Sequence, residues 1–128
     1  MKRFILAAVA ALGMATPALA DPIEGVWQTE VDDGAFAYVT ISPCGNAYCG
    51  VISRTFNSSG EFNSENKGKQ IVRSMVPQGN GRYEGQVWRP SNNKVYVGKI
   101  DLNGNNMRLR GCVAGGLLCA SQSWVKIN

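Results

Sequence analysis

Histidine is missing from this chain of 128 residues. Its absence removes the commonest general base, and with it any Ser-His-Asp or Cys-His nucleophile. It also removes the imidazole ligands that most zinc sites use. A C-x-x-C pair is absent too, which argues against thiol–disulfide catalysis. No glycine-rich loop follows a strand and opens a helix, so there is no phosphate cradle. Beyond residue 20 no apolar run approaches the roughly 20 residues that a membrane helix needs. No segment longer than a turn or two shows helical periodicity. No catalytic residue, cofactor or metal is expected.

Two further signals turn out bland. Glu24, Glu30, Asp32 and Asp33 cluster early, and a carboxylate pair could run glycosidase chemistry. However, Asp32-Asp33-Gly34 has turn composition, so its acids read as solvated turn formers. The formal charge of +4 includes Lys2 and Arg3, and without them it falls to +2. The remaining cations are scattered through the middle and late chain, while five of the nine acids lie before residue 34. Nucleic-acid binding needs a denser basic patch, so none is expected.

What is present begins with an address. Lys2 and Arg3 lead into an apolar stretch from Phe4 to Met14, broken by Thr16 and Pro17 and followed by Ala18-Leu19-Ala20. This is the order of a bacterial-type secretory signal peptide, too short to span a bilayer. Cleavage is expected after Ala20, leaving Asp21 at the new N-terminus. No cysteine stands directly after the cut, which argues against a lipid anchor. Removing 20 residues from 128 leaves 108, enough for one domain with one modest core. The expected organisation is a leader at 1–20 and a single soluble domain at 21–128, monomeric and periplasmic or secreted.

Four cysteines remain: Cys44, Cys49, Cys112 and Cys119. An even count in a small exported domain reads as two disulfides. Of three pairings, Cys44–Cys49 with Cys112–Cys119 is expected, because each pair brackets a short turn-rich segment. The spacings C-x4-C and C-x6-C fit neither a zinc site nor a redox motif.

Turn dipeptides punctuate the rest at short intervals: Asp33-Gly34, Ser59-Gly60, Gly79-Asn80-Gly81, Asn92-Asn93 and Asn103-Gly104. Runs rich in Val, Ile, Tyr and Trp lie between them, the pattern of hairpin-linked strands. Eight strands are expected, at about 24–31, 35–42, 48–55, 69–76, 82–89, 94–102, 106–113 and 119–127. Asn57 to Gly68 reads as one long surface loop. Alternation places Ala35, Ala37, Val39 and Ile41 on one face, likewise Tyr83, Gly85 and Val87, and likewise Met107, Leu109 and Gly111. Glu84, Gln86 and Trp88, and Arg108 and Arg110, fall on the opposite face. Eight such strands with no helix to cover them are best satisfied by an all-β antiparallel meander barrel, since closure removes the edges. Gly85, Gly98 and Gly111 recur at equal spacing on the inward face. They mark either a row where the sheet coils sharply or room left for a ligand.

These residues resemble known families at two levels. Gly25-Val26-Trp27 looks like the G-x-W signature of lipocalin-like (calycin) barrels, where the tryptophan plugs the closed end. The broader resemblance is to an exported bacterial family, domain of unknown function 2147. It rests on Gly25-Val26-Trp27, Ser42-Pro43-Cys44-Gly45 with Tyr48-Cys49-Gly50, and Gly68-Lys69. It continues through Trp88-Arg89-Pro90, Lys94-Val95-Tyr96, Gly111-Cys112-Val113-Ala114-Gly115-Gly116, Cys119 and Gln122-Ser123-Trp124. The resemblance implies a lipocalin-like barrel and an exported location, but no activity. After Trp124 this chain has Val125-Lys126 where that family often has arginine, so Lys126 is the candidate to cover Trp27 by a cation–π contact.

Two features are candidates for binding. Trp88 falls on the outward face, as a recognition residue or as cover for a neighbouring apolar strip. Leu117 and Leu118 sit on an apolar tip between two cysteines, which either plugs the barrel mouth or meets a partner or lipid. Trp27 and Trp124, with the three glycines, are expected to be structural. Trp27, Tyr83, Tyr96 and Trp124 all point inward and imply a mostly filled interior. Two functions fit: a non-enzymatic binding protein for a small apolar or amphipathic ligand in the envelope, or an interaction module such as an inhibitor of proteases or wall-degrading enzymes. A hollow barrel favours the first; a filled barrel with a rigid protruding loop favours the second.

Overall fold

The computed structural model describes residues 20–128, so residues 1–19 of the expected leader lie outside the described residues. Nine strands form: β1 (Gly25–Gln28), β2 (Ala35–Cys44), β3 (Ala47–Asn57), β4 (Gly60–Phe62), β5 (Gln70–Gly79), β6 (Arg82–Arg89), β7 (Lys94–Asn103), β8 (Asn106–Val113) and β9 (Leu118–Lys126). Eight of them close a barrel. Each pairs antiparallel with the next, β3 passes directly to β5, and β9 returns to β1. This is the expected all-β meander barrel.

Two boundaries differ from expectation. β1 stops at Gln28 rather than near residue 31. The chain reverses at Asp33 and Gly34, both left-handed (φ 56° and 77°), and residues 29–32 run beside β2 through isolated bonds, Thr29 to Ala37 and Asp32 to Ala35, instead of a regular ladder. The segment read as a plain surface loop contains β4. Gly60–Phe62 folds back on β3, pairing Thr55 with Phe62 and Asn57 with Gly60. The Thr55 hydroxyl donates to the Phe62 carbonyl, and Arg54 forms an ion pair with Glu61. A flap therefore extends the wall at this point.

Strand direction sorts the connections into two ends. The turns at 44–47, 79–82 and 103–106 share one end with the C-terminus. The segments at 29–34, 57–69, 89–94 and 113–118 share the other. The first end is plugged. Ile23 and Trp27 are wholly buried there, and the Trp27 indole donates to the Ile23 carbonyl at 2.8 Å. Lys126 lies above the Trp27 ring, with Nζ 5.8 Å from its centroid, and donates to the Pro22 carbonyl. Gly25 must be glycine: its φ is 135°, and a Cβ there would lie 2.5 Å from the Asn128 carbonyl oxygen. Met75, Ile100 and Met107 fill the space above, and Tyr48 and Tyr83 meet edge to face. The Tyr83 hydroxyl donates to Asp21, and burial pushes its ionisation up.

The two disulfides are the expected ones. Cys44–Cys49 ties the β2–β3 hairpin at the plugged end, and Cys112–Cys119 joins directly opposed residues of β8 and β9 at the other. The outer wall carries Glu84, Gln86, Lys99, Asp101, Arg108 and Arg110, while the interior is apolar. That is the reverse of a barrel that spans a bilayer. No helix among the described residues is long and apolar enough to cross one.

Trp27 is the keystone of the plugged end. Trp27→Ala should cost about 3–5 kcal/mol, the range for truncating a large buried aromatic. Denaturant melts check this; a loss under about 1 kcal/mol would fall outside any core truncation of that size.

Candidate functional site

The other half of the barrel is hollow. A cavity of about 450 Å³ opens at the end formed by the 29–34, 57–69 and 89–94 segments. Trp124, Leu109 and Ile52 lie deepest, and Ala37, Ile71, Val87 and Gly111 contribute wall. The reason is local. Facing positions at this level are small: Ala35, Ala37, Thr55, Gly111 and Ala120. The expectation of a mostly filled interior is thereby corrected. The four inward aromatics divide between the halves, with Trp27 and Tyr83 at the plugged end and Trp124 and Tyr96 in the cavity lining. The Tyr96 hydroxyl accepts from Asn92 Nδ2 at 2.7 Å.

The glycine row divides between the two readings of it. Gly85, Gly98 and Gly111 are register neighbours across β6, β7 and β8. A Cβ on Gly85 would collide with the backbone carbonyl oxygens of Arg73 and Ser74, where β5 bulges and presses on β6. One on Gly98 would strike the Met75 side chain. These two permit the sharp coiling. The atoms nearest to a Cβ on Gly111 belong to the Tyr96 and Val87 side chains, at ordinary contact distance, 3.4 Å and beyond. Gly111 therefore leaves space in the cavity.

Several polar groups around the cavity bond one another. Arg89 donates two hydrogen bonds to Asp32, each 2.8 Å, and Ser91 adds a third at 3.1 Å. This straps the β6–β7 turn to the β1–β2 loop across the mouth. The hydrogen bonds from Arg89 hold the Asp32 carboxyl below the usual carboxylate range. Deeper in, Thr55 is bonded to Phe62 and Ser64, and the Trp124 indole donates to Gln122 Oε1 at 2.9 Å. The interior thus offers apolar contact and no unpaired charge. It suits the hydrocarbon part of a molecule, with any polar head left at the rim beside Glu30, Ser91 and Ser121.

Residues 25–126 match a family of uncharacterized proteins conserved in bacteria, DUF2147. The chain belongs to it. Among solved structures, the DUF2147 barrel is similar to a Helicobacter pylori protein described as belonging to the lipocalin family. The two share 13% identity over 83% of each chain, with a TM-score of 0.65. It is also similar to fatty-acid-binding protein 1 of Echinococcus granulosus, at 11% identity and a TM-score of 0.50, covering 85% of this chain and 100% of that one. At such identities the likeness is one of fold, a lipocalin-type barrel. No curated protein matches this DUF2147 chain in sequence.

The residues singled out for binding in this family member are placed as follows. Trp88 is not exposed: only 7% of it reaches solvent. Its indole donates to Asn93 Oδ1 at 2.9 Å, and Lys69 and Arg73 close over the ring at 5.6 and 5.9 Å from its centroid. It helps to line the rim of the cavity. Leu117 and Leu118 form no plug. They are 84% and 65% exposed and do not line the cavity, although they stand at the same end. The early carboxylates do not converge, since Glu24 precedes β1 at the plugged end and Asp32 is tied to Arg89 at the mouth. Sequence reasoning missed the Asp32–Arg89 strap. Its partners are 57 residues apart, and only the strand-ending position of Arg89 hints at it.

The strap gives a pH signature. A carboxyl held low stabilises the fold fully above its unfolded value near 3.8, and that contribution disappears as pH falls through the lower folded value. Asp32→Asn should therefore lower the melting temperature by a few degrees equally at pH 8 and pH 5. The gap should close only below about pH 4, near the ordinary carboxylate value. Thermal melts across pH test this, and a gap that widens on acidification would contradict it.

Proposed function

We propose that this protein is a non-enzymatic carrier in the bacterial cell envelope, holding the apolar part of a small amphipathic molecule in the hollow half of its barrel. The observation that carries this reading is the cavity of about 450 Å³, apolar within and ringed by polar groups at one open end. Its size falls within the range of about 300–1,000 Å³ common to small-ligand sites. The relatives in structure support it, one named as a lipocalin-family member and one as a fatty-acid-binding protein. Two disulfides fit an oxidising compartment, in keeping with removal of residues 1–20 and release into the periplasm. Barrel closure leaves only the three-residue β4 at an edge among the described residues, which fits a monomer.

The interaction-module reading has one observation in its favour, the exposed tip clamped by Cys112–Cys119. It lacks the filled barrel that would leave the interior without a task, so the carrier reading is preferred.

Gly111 provides the test. Gly111→Leu adds apolar bulk to the cavity wall, and the atoms nearest its Cβ are side-chain atoms of Tyr96 and Val87 at 3.4 Å and beyond, with no backbone atom closer. Titration with a fluorescent fatty acid should show affinity at least about tenfold weaker than in the parent, the scale of overpacking a small apolar space. The melting temperature should stay close to the parent's. Parent protein that takes up no apolar probe, or a variant that binds it equally well, would refute the proposal.

A further inference from the structure

Exposed apolar side chains gather at the open end. Leu117 and Leu118 project furthest, on a tip built from the short 3₁₀ turn Ala114–Gly116 with three successive residues at positive φ. Val113 stands opposite Leu118, and the Cys112–Cys119 bridge holds the base of the tip rigid. From there the apolar surface continues along the outer wall. Val97 is the register neighbour of Cys112, and Val95 lies two residues nearer the mouth on β7; both are exposed.

Cations outnumber acids in the later strands. From Gly85 to Asn128 there are six cations against the single acid Asp101. Arg89 and Arg110 are ion-paired with Asp32 and Asp101, and Lys126 sits at the plugged end, which leaves Lys94, Lys99 and Arg108. The remaining eight acids lie between Asp21 and Glu84 with only five cations. Two lysines border the apolar strip directly. Lys94 opens β7 beside Val95 and is exposed, and Lys99 reaches up beneath the tip, its Nζ 3.3 Å from where a Cβ of Gly116 would sit.

We infer that this face docks on an anionic phospholipid bilayer, with Leu117 and Leu118 entering the headgroup boundary and Lys94 and Lys99 meeting lipid phosphates. Apolar side chains bordered by cations are the composition of reversible interfacial binding, in which neither signal suffices alone. The orientation has a use. A tip that enters the bilayer brings the cavity mouth, at the same end of the barrel, next to the phase in which apolar molecules reside. The purpose of this docking rests on the carrier reading, but the docking itself is measured without any ligand.

The experiment is vesicle flotation of the chain from Asp21 with both disulfides formed, comparing phosphatidylcholine vesicles with vesicles that also contain phosphatidylglycerol. The parent should float with the anionic vesicles, be released by high salt, and stay behind with phosphatidylcholine alone. Leu117→Ser with Leu118→Ser, and separately Lys94→Gln with Lys99→Gln, should each weaken partitioning about tenfold or more, through lost apolar burial or lost attraction to anionic lipid. Both variants should keep the parent's melting temperature and its affinity for a fluorescent fatty acid in solution. A parent that ignores anionic vesicles, or variants that float as it does, would overturn the inference. So would a concentration-dependent dimer in vesicle-free sedimentation that the leucine changes abolish, since the tip would then serve a second copy of the chain. Flotation that persists in a parent unable to take up the fatty acid would sustain the docking face and count against the carrier reading instead.

Discussion

The barrel is closed by a short seam. β9 meets β1 through only two residue pairs, Trp27 with Lys126 and Gln28 with Val125. The Val26 amide donates to the Asn128 carbonyl, and its own carbonyl accepts from Ile127, each at 2.9 Å. So few backbone bonds would make a weak join, because an opened seam exposes two strand edges and little else is lost. What reinforces it is the apolar mass directly behind it. Ile23 and Trp27 are fully buried there, and Gly25 lets the C-terminal carbonyl approach to a distance that no other residue would allow. Closure, plug and seam are thus one structure.

Placing the bulk at the seam has a consequence at the other end. A chain this short has few large side chains, and those spent on Trp27, Tyr83, Met75 and Met107 are not available to fill the mouth. The mouth half is walled by smaller residues and by the edges of Trp124 and Tyr96. An apolar hollow forfeits packing that a filled core would have, so it weakens the fold. The two disulfides offset part of that loss, each by about 2–2.5 kcal/mol in the chain-entropy model for loops this small. Cys112–Cys119 sits at the hollow end, where side-chain packing contributes least, and the Asp32–Arg89 strap crosses the same end.

Legibility followed the range of each interaction. Alternation is local, and it placed Ala37, Val39, Ile41, Tyr83, Val87, Met107 and Leu109 on faces that are buried in the structure. The Cys44–Cys49 and Cys112–Cys119 pairings were legible for the same reason, since each closes a short hairpin. The two readings of Trp88 stayed open because alternation reports which way a side chain points and not what covers it. Its cover, Lys69 and Arg73, arrives from the neighbouring strand pair. The hollow was invisible because counting inward aromatics does not reveal where along the barrel each sits: Trp27 and Tyr83 fill the plugged end, while Tyr96 and Trp124 line the cavity without filling it. β4 was lost because three residues are too few to show a period, although the Ser59-Gly60 turn ahead of it was in plain view.

The central feature of the molecule is an apolar hollow confined to one half of the barrel. The most direct measurement is diffraction from crystals of the protein pressurised with xenon, which enters empty apolar cavities and avoids filled or polar ones. Xenon density is expected against Ile52, Val87, Leu109 and Trp124, and none beside Trp27 and Ile23. Density at the Trp27 end, or a mouth half that admits no xenon because side chains fill it, would contradict the account.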